Sequence, residues 1–232
     1  FREWGLTTNL AAFLYDYQNV QAPLTVVPAV GPTFSAFVNI PKVETTGFEF
    51  EGAWNPIDPL NIRLTYAYLN AEIAESDVYS NGLEYATPAC QANPTPGCAL
   101  GRPESVEGNK LPQSPEHKVA ANVSYLFEFE NGSTLLPAIN WYWRDEFTTS
   151  LFNNPETFSD PYQQTDARLI WNDSEGRFTV IGWVRNLCDE KGFDAVTAFR
   201  RRGTAQDFGQ VYQTNTLTMP RMYGIEFQYH FR

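Results

Sequence analysis

The chain has 232 residues, 43% of them hydrophobic and 15% aromatic, enough for one sizeable domain or one large piece of a larger one, and not the composition of a disordered chain. A formal net charge of −11 excludes nucleic acid as a partner, because that binding rests on clustered Lys and Arg. Helical membrane spans are excluded too, since no apolar run reaches about 18 residues, but barrel strands are not, since each needs only about ten residues of alternating hydrophobicity.

Successive side chains of a strand point to opposite faces, so period-two alternation predicts strands. Phe1 leads directly into mixed polar and aromatic residues with no secretory signal sequence, so the chain is expected to be mature or to lack an N-terminal part. The first strand sets Ala11, Phe13, Tyr15 and Tyr17 against Leu10, Ala12, Leu14 and Asp16. Phe48, Phe50 and Trp54 then alternate with Glu49 and Glu51, and the turn NPIDPL implies a hairpin. Its return sets Leu60, Ile62, Leu64, Tyr66 and Tyr68 against Asn61, Arg63, Thr65 and Ala67. Residues 74–116 show no sustained period and read as a long loop. Within it, Cys90 and Cys98 bracket a Pro- and Gly-rich stretch, the natural setting for a disulfide in an oxidising compartment. Metal binding is the weaker alternative, with no further ligand nearby, and Cys188 is expected to be a buried free thiol.

The pattern resumes with Val119, Ala121, Val123, Tyr125, Phe127 and Phe129 against Lys118, Ala120, Asn122, Ser124, Leu126 and Glu128. The turn ENGS leads to Leu135, Ile139, Trp141 and Trp143, opposed by Asn140 and Arg144. Ala167, Leu169 and Trp171 alternate with Asp166, Arg168 and Ile170, and NDSEGR joins them to Phe178, Val180, Gly182 and Val184. The last strand carries Tyr223, Ile225, Phe227, Tyr229 and Phe231 on one face and Gly224, Glu226, Gln228, His230 and Arg232 on the other.

Short turns at NPIDPL, ENGS and NDSEGR alternate with long loops at 74–116, 146–161 and 189–216, the asymmetry of outer-membrane barrels. Strands of about 11 to 14 residues also exceed the usual five or six of globular sheets and suit an apolar band roughly 25 Å tall. The reading is all-β: a transmembrane antiparallel barrel whose lipid face ends in Tyr223, Ile225, Phe227, Tyr229 and Phe231.

Several motifs carry a family likeness. WVRNLCDEKGF (183–193) resembles the penultimate strand of TonB-dependent outer-membrane receptors, with its Asn-Leu pair, Asp-Glu step and aromatic. GNKLPQSPEHKVAANVSYLF (108–127) resembles the loop-to-strand passage of that family, and LAAFLYDYQNVQ (10–21) and GFEFEGAWNPIDPLNIRLTYAYLNAEI (47–73) resemble the strands before it. The resemblance implies that residues 1–232 are the C-terminal portion, about eight strands, of a barrel of about 22 strands, with the N-terminal plug and first strands absent. It implies a transporter rather than an enzyme, importing a scarce nutrient such as a siderophore-type chelate across the outer membrane of a Gram-negative cell. Expected partners are outer-membrane lipid and lipopolysaccharide, the rest of the barrel and its plug, the TonB complex through the missing part, and a small-molecule cargo. No resident cofactor or metal is implied. The family usually ends on an aromatic residue, whereas here Arg232 follows Phe231.

Two other readings carry their own tests. A complete eight-stranded barrel with a structural or adhesive role requires residues 10–21 to pair with the final strand. A barrel enzyme requires His117 within hydrogen-bond reach of a Ser or Asp in a pocket. Among loop residues, Arg200, Arg201 and Arg202 could meet an anionic ligand, and Phe147, Phe152 and Phe158 could stack on one; a solvated charge run and a loop packed on itself are the plain counterparts. Glu49, Glu51, Arg63, Lys118, Glu128, Arg144, Asp166, Arg168 and Glu226 read as ordinary lumen-facing groups, paired or hydrated.

Overall fold

The computed structural model describes residues 4–26, 34–95, 97–200 and 209–231. In chain order the first elements are β1 (Leu6–Val26), β2 (Phe34–Ile57), β3 (Leu60–Glu75), β4 (Val78–Tyr85), the helical turn α1 (Pro88–Ala92) and β5 (Leu100–Ser105). Then come β6 (His117–Tyr125), β7 (Phe127–Glu128), β8 (Thr134–Arg144), β9 (Phe147–Thr148) and β10 (Phe158–Ser159). The last are β11 (Tyr162–Asn172), β12 (Phe178–Arg185), β13 (Phe193–Arg200), β14 (Val211–Leu217) and β15 (Met222–Tyr229).

Eight of these form one antiparallel sheet, the wall, in the order β1-β2-β3-β6-β8-β11-β12-β15, with β7 beside β8. Among the described residues β1 pairs only with β2 and β15 only with β12, so the sheet is open at both edges. Register carries the alternation from strand to strand. Trp54, Ile62, Val123, Ile139, Ala167, Val184 and Tyr223 are successive cross-strand partners, an unbroken apolar row across seven strands. One residue away, Arg63, Asn122, Asn140 and Asp166 form a polar row on the opposite face. Apolar side chains of the first face stand in the open: Leu10, Leu14, Ile225 and Phe227 are all more than two-thirds exposed. Trp54, Tyr125, Trp171, Phe178 and Tyr229 lie toward its short-turn end, and Tyr66, Tyr68, Trp141, Trp143 and Tyr223 toward its long-loop end.

The final strand fits the wall through a glycine. A Cβ on Gly224 would fall 2.7 Å from the Trp183 ring, which lies across its cross-strand partner and takes the space a side chain would need. The short turns are fixed by their side chains. Asp173 Oδ1 accepts from the Phe178 N–H at 2.9 Å, and Asn131 Oδ1 accepts from the Ser133 N–H at 3.0 Å.

β1 and β2 outrun their neighbours. β3 meets β2 only up to Lys42, so the C-terminal half of β1 and the start of β2 rise as a two-stranded arm. At its foot the sidedness of both strands reverses. Below it, even-numbered residues such as Leu14 and Phe48 lie on the apolar outer face, and Tyr17, Val43 and Ile73 on the other. Above it, the even-numbered Ala22, Leu24 and Ile40 are buried in one cluster with Val43 and Ile73. Two local features make the change: the register slips between Lys42 and Val43, and Asn19 adopts a left-handed conformation with φ 57°. On the outer face at this level Lys42 Nζ bridges Asp16 at 3.3 Å and Glu44 at 2.6 Å.

The stretches expected to be plain loops are folded. β4 pairs with β5 inside 76–116, β9 with β10 inside 145–161, and β13 with β14 inside 186–221. Together with the arm they form a canopy over one edge of the wall, with Ile40, Val43, Ile73, Tyr79, Val106 and Leu151 in its core.

Candidate functional site

The polar face of the wall carries a recess of about 710 Å³. Its sides are formed by Arg63 and Thr65 of β3, Asn122 of β6, Asn140, Tyr142 and Arg144 of β8, Gln164 and Asp166 of β11, and Arg185 of β12. All sit on the same phase of their strands, so the recess follows from the alternation and the register. Asn122 Nδ2 donates to Asn140 Oδ1 at 2.7 Å. Asp166 Oδ1 accepts from Gln164 Nε2 at 2.8 Å and from the Asn186 N–H at 2.9 Å. Arg144 is buried at the upper end. Its guanidinium donates to the carbonyls of Asp145, Asp160 and Phe193 and to Ser159 Oγ, and stacks on Phe147 at 4.5 Å. Arg185 lies over the Trp183 ring at 5.8 Å. The strand reading that stopped at Val184 missed Arg185, which follows on the inward phase.

Buried polar groups tie the canopy together. Asn81 is sealed from solvent; its amide donates to Glu104 Oε2 at 2.7 Å and Asn154 Oδ1 at 3.3 Å, and its Oδ1 accepts from the Leu83 N–H. Tyr79 O–H donates to the Asn39 carbonyl at 2.6 Å, joining β4 to the arm, and burial holds this phenol above its ordinary pKa, aided by the Asp77 carboxylate. Thr149 Oγ1 donates to the Val196 carbonyl, and Gln213 Nε2 to the Glu156 carbonyl at 2.7 Å. Where canopy meets wall, Asn186 takes φ 53°. Its amide donates to the carbonyls of Glu190 and Met219, and its Oδ1 accepts from the Glu190 N–H. The Asn of the Asn-Leu pair is thus a buried clasp on the loop that follows β12.

The residues singled out in the loops are not gathered into one site. Arg200 donates to the Leu83 carbonyl and lies 4.9 Å over the Tyr85 ring, joining β13 to β4; Arg201 and Arg202 lie outside the described residues, as does Arg232. Phe147 is buried beneath Arg144, Phe152 packs on the canopy core, and Phe158 pairs with Thr148 in the β9–β10 bridge. Cys90 and Cys98 are disulfide-bonded. Cys188, expected buried, is exposed, because it follows Asn186 on the outside of the clasp. His117 Nδ1 is 2.9 Å from the Tyr66 hydroxyl, while Ser114 Oγ donates to the Pro112 carbonyl. Among the described residues no three His, Cys, Asp or Glu side chains could hold a metal ion. Tyr223, Ile225, Phe227 and Tyr229 are cross-strand partners of Val184, Gly182, Val180 and Phe178 on the outer face, and Phe231 is exposed beyond them.

Residues 1–187 match the family model described as TonB dependent receptor-like, beta-barrel. The chain belongs to that family. Its fold recurs in solved structures of outer-membrane proteins. The ferric yersiniabactin uptake receptor FyuA from Yersinia pestis aligns over 98% of this chain and 28% of its own, with a TM-score of 0.67 and 17% identity. The siderophore receptor PiuA from Acinetobacter baumannii aligns over 98% and 26%, with 0.60 and 17%. BauA, the ferric preacinetobactin receptor of the same organism, aligns over 97% and 27%, with 0.62 and 14%. This chain therefore spans little more than a quarter of the proteins it resembles, and at such identities the likeness is one of fold. No curated protein matches the sequence significantly. In a barrel of this family the exposed apolar rows are the lipid face, the polar rows face the lumen, and the short turns and the canopy lie at opposite rims.

Proposed function

We propose that this chain supplies the C-terminal wall and extracellular canopy of an outer-membrane receptor that imports a scarce nutrient, driven by the TonB complex through a part of the protein beyond these residues. The observation that carries the reading is the sidedness of the wall: seven strands share one apolar row and four of them carry a polar row on the opposite face, in a sheet open at both edges, within a family of TonB-dependent receptor-like barrels. The open edges also weigh against a small closed barrel, since β1 and β15 do not meet. A lumen-filling plug and further strands complete the receptor in this reading.

A siderophore-type ferric chelate is the favoured cargo, since FyuA, PiuA and BauA are receptors for such compounds. No covalent chemistry is assigned to the chain; it binds, shields and conducts. The test is uptake of radiolabelled ferric chelates by cells carrying or lacking the full-length protein, with and without a working TonB complex. Import that requires both supports the proposal, and import indifferent to either one sinks it.

A further inference from the structure

We propose that the outward face of the arm is a docking surface for the neutral sugars of the lipopolysaccharide around the receptor. The inference rests on the receptor reading above, in which the wall sits in the outer membrane and the arm rises from it on the cell-surface side. In the arm the even-numbered Ala22, Leu24 and Ile40 are buried in the canopy core, so the odd-numbered side chains point the other way. These form three cross-strand pairs in succession: Gln21 with Asn39, Pro23 with Phe37, and Thr25 with Ser35. All six residues are exposed, and Phe37, at 77%, is among the most exposed large apolar side chains of the protein.

The chemistry of the face selects the partner. No charged residue occurs from Tyr17 to Pro41, in a chain of which 19% is charged. A surface that holds phosphate, whether of a phospholipid or of lipid A, needs Lys or Arg. The next cation in sequence, Lys42, is already bridged to Asp16 and Glu44. The face offers instead an aromatic ring beside a proline ring, with two amides on one side of the pair and two hydroxyls on the other. A pyranose has the matching halves: C–H groups that pack on an aromatic face, and hydroxyls that donate to and accept from amides and other hydroxyls. Among the described residues the side chains of Gln21, Thr25, Ser35 and Asn39 spend no hydrogen bond on the protein; it is the backbone carbonyl of Asn39 that accepts from Tyr79. A central ring within a polar rim is also the layout in which a few contacts carry most of the binding.

Position and size point the same way. The face continues the outer side of β1 and β2 upward, past the charged border at Asp16, Lys42 and Glu44. Phe37 stands roughly 16 Å along the strand beyond Lys42, at about 3.3 Å per residue, so it lies above the lipid band in the receptor reading. A glycolipid seated by its acyl chains against Leu14 and Phe48 therefore brings its sugars to this height. Two strands wide and three pairs long, the patch measures roughly 10 by 15 Å. That accommodates about two or three sugar rings and falls far short of the about 800 Å² per partner of a stable protein interface.

The test uses the full-length receptor in detergent and lipid-free core oligosaccharide, released by mild acid from the lipopolysaccharide of the producing strain, with saturation-transfer NMR of the sugar protons as the readout. Phe37→Ala should weaken binding on the order of tenfold, whereas Phe37→Trp should stay within about twofold of wild type because it keeps an aromatic face. Q21A/N39A should weaken it about threefold to tenfold through lost hydrogen bonds. None of these side chains packs in a core, so the variants should fold, as heat-modifiable gel mobility will show. Raising the salt from ~0.1 M to ~1 M should leave binding unchanged, since no charge is invoked. A Phe37→Ala receptor that folds and binds the oligosaccharide like wild type overturns the inference. So does binding lost at high salt, which assigns the contact to sugar phosphates. So does a Phe37→Ala receptor that takes up less ferric chelate while its oligosaccharide binding persists, which gives the face to cargo. Import indifferent to the TonB complex, with oligosaccharide binding following the expected pattern, breaks the receptor reading alone, so the two failures are told apart.

Discussion

In the wall, large apolar side chains such as Leu14, Ile225 and Phe227 stand exposed, whereas in the canopy Ile40, Val43 and Ile73 are sealed from solvent. The wall buries little against itself: its order comes from cross-strand hydrogen bonds and a register that carries one apolar row outward across seven strands. The canopy is assembled like a small water-soluble protein, with a packed core and a buried Asn81 whose side chain is satisfied by Glu104, Asn154 and the Leu83 N–H. The difference teaches that the surrounding medium, rather than strand propensity, decides what a side chain in this chain contributes.

Four substitutions can break or sharpen that contrast. The largest effect is expected from Ile73→Ala, which opens a cavity in the canopy core and should cost about 2–5 kcal/mol of local stability. Proteolysis of the receptor in intact cells should then cleave the canopy faster while the amount of barrel is unchanged; equal loss of both would erase the distinction between the regions. Next, Ile225→Arg should cost about 2–4 kcal/mol in lipid if the residue lies near the bilayer midplane. On an aqueous surface the same change would fall within about ±0.5 kcal/mol, so reversible folding into liposomes decides which medium surrounds it.

Asn186→Ala should cost about 1–3 kcal/mol, because the Glu190 N–H and two carbonyls lose their partner where wall meets canopy. Hydrogen exchange should speed up in residues 186–192 and 218–221 and stay unchanged in β3 and β6. The smallest effect concerns the turn after β11. The Phe178 N–H, first among backbone donors there, holds the Asp173 carboxyl below its ordinary value. A lowered pKa favours the folded state when ionised, so this contribution is complete above the usual carboxylate range of about 4 and fades as the pH falls through the lowered value. Protection of the Phe178 amide, measured against its intrinsic exchange rate at each pH, should therefore fall in acid in wild type, and be low with little pH linkage of this kind in Asp173→Ala.

The wall was legible because period two is written directly into segments such as 60–68 and 223–231, and because loop lengths alternate. The arm was not: residues 34–46 change sides at Lys42 and Val43, so no single alternation runs through them. Nor was the canopy, whose short strands owe their place to Asn81, Tyr79 and Thr149, polar residues that look like loop in a sequence. Arg63, Arg144 and Asp166 were each visible as inward charges, but their meeting in one recess required the register across four strands.

The reversal of sidedness at Asn19 and Lys42 separates the constraints on the two halves of the longest strands. Because the alternation restarts there, a residue gained or lost higher in the arm need not turn over any lipid-facing side chain below, and the membrane rows need not shift with it. The canopy end of the chain can vary in length while the wall keeps its phase, with Asp16, Lys42 and Glu44 marking the border between them.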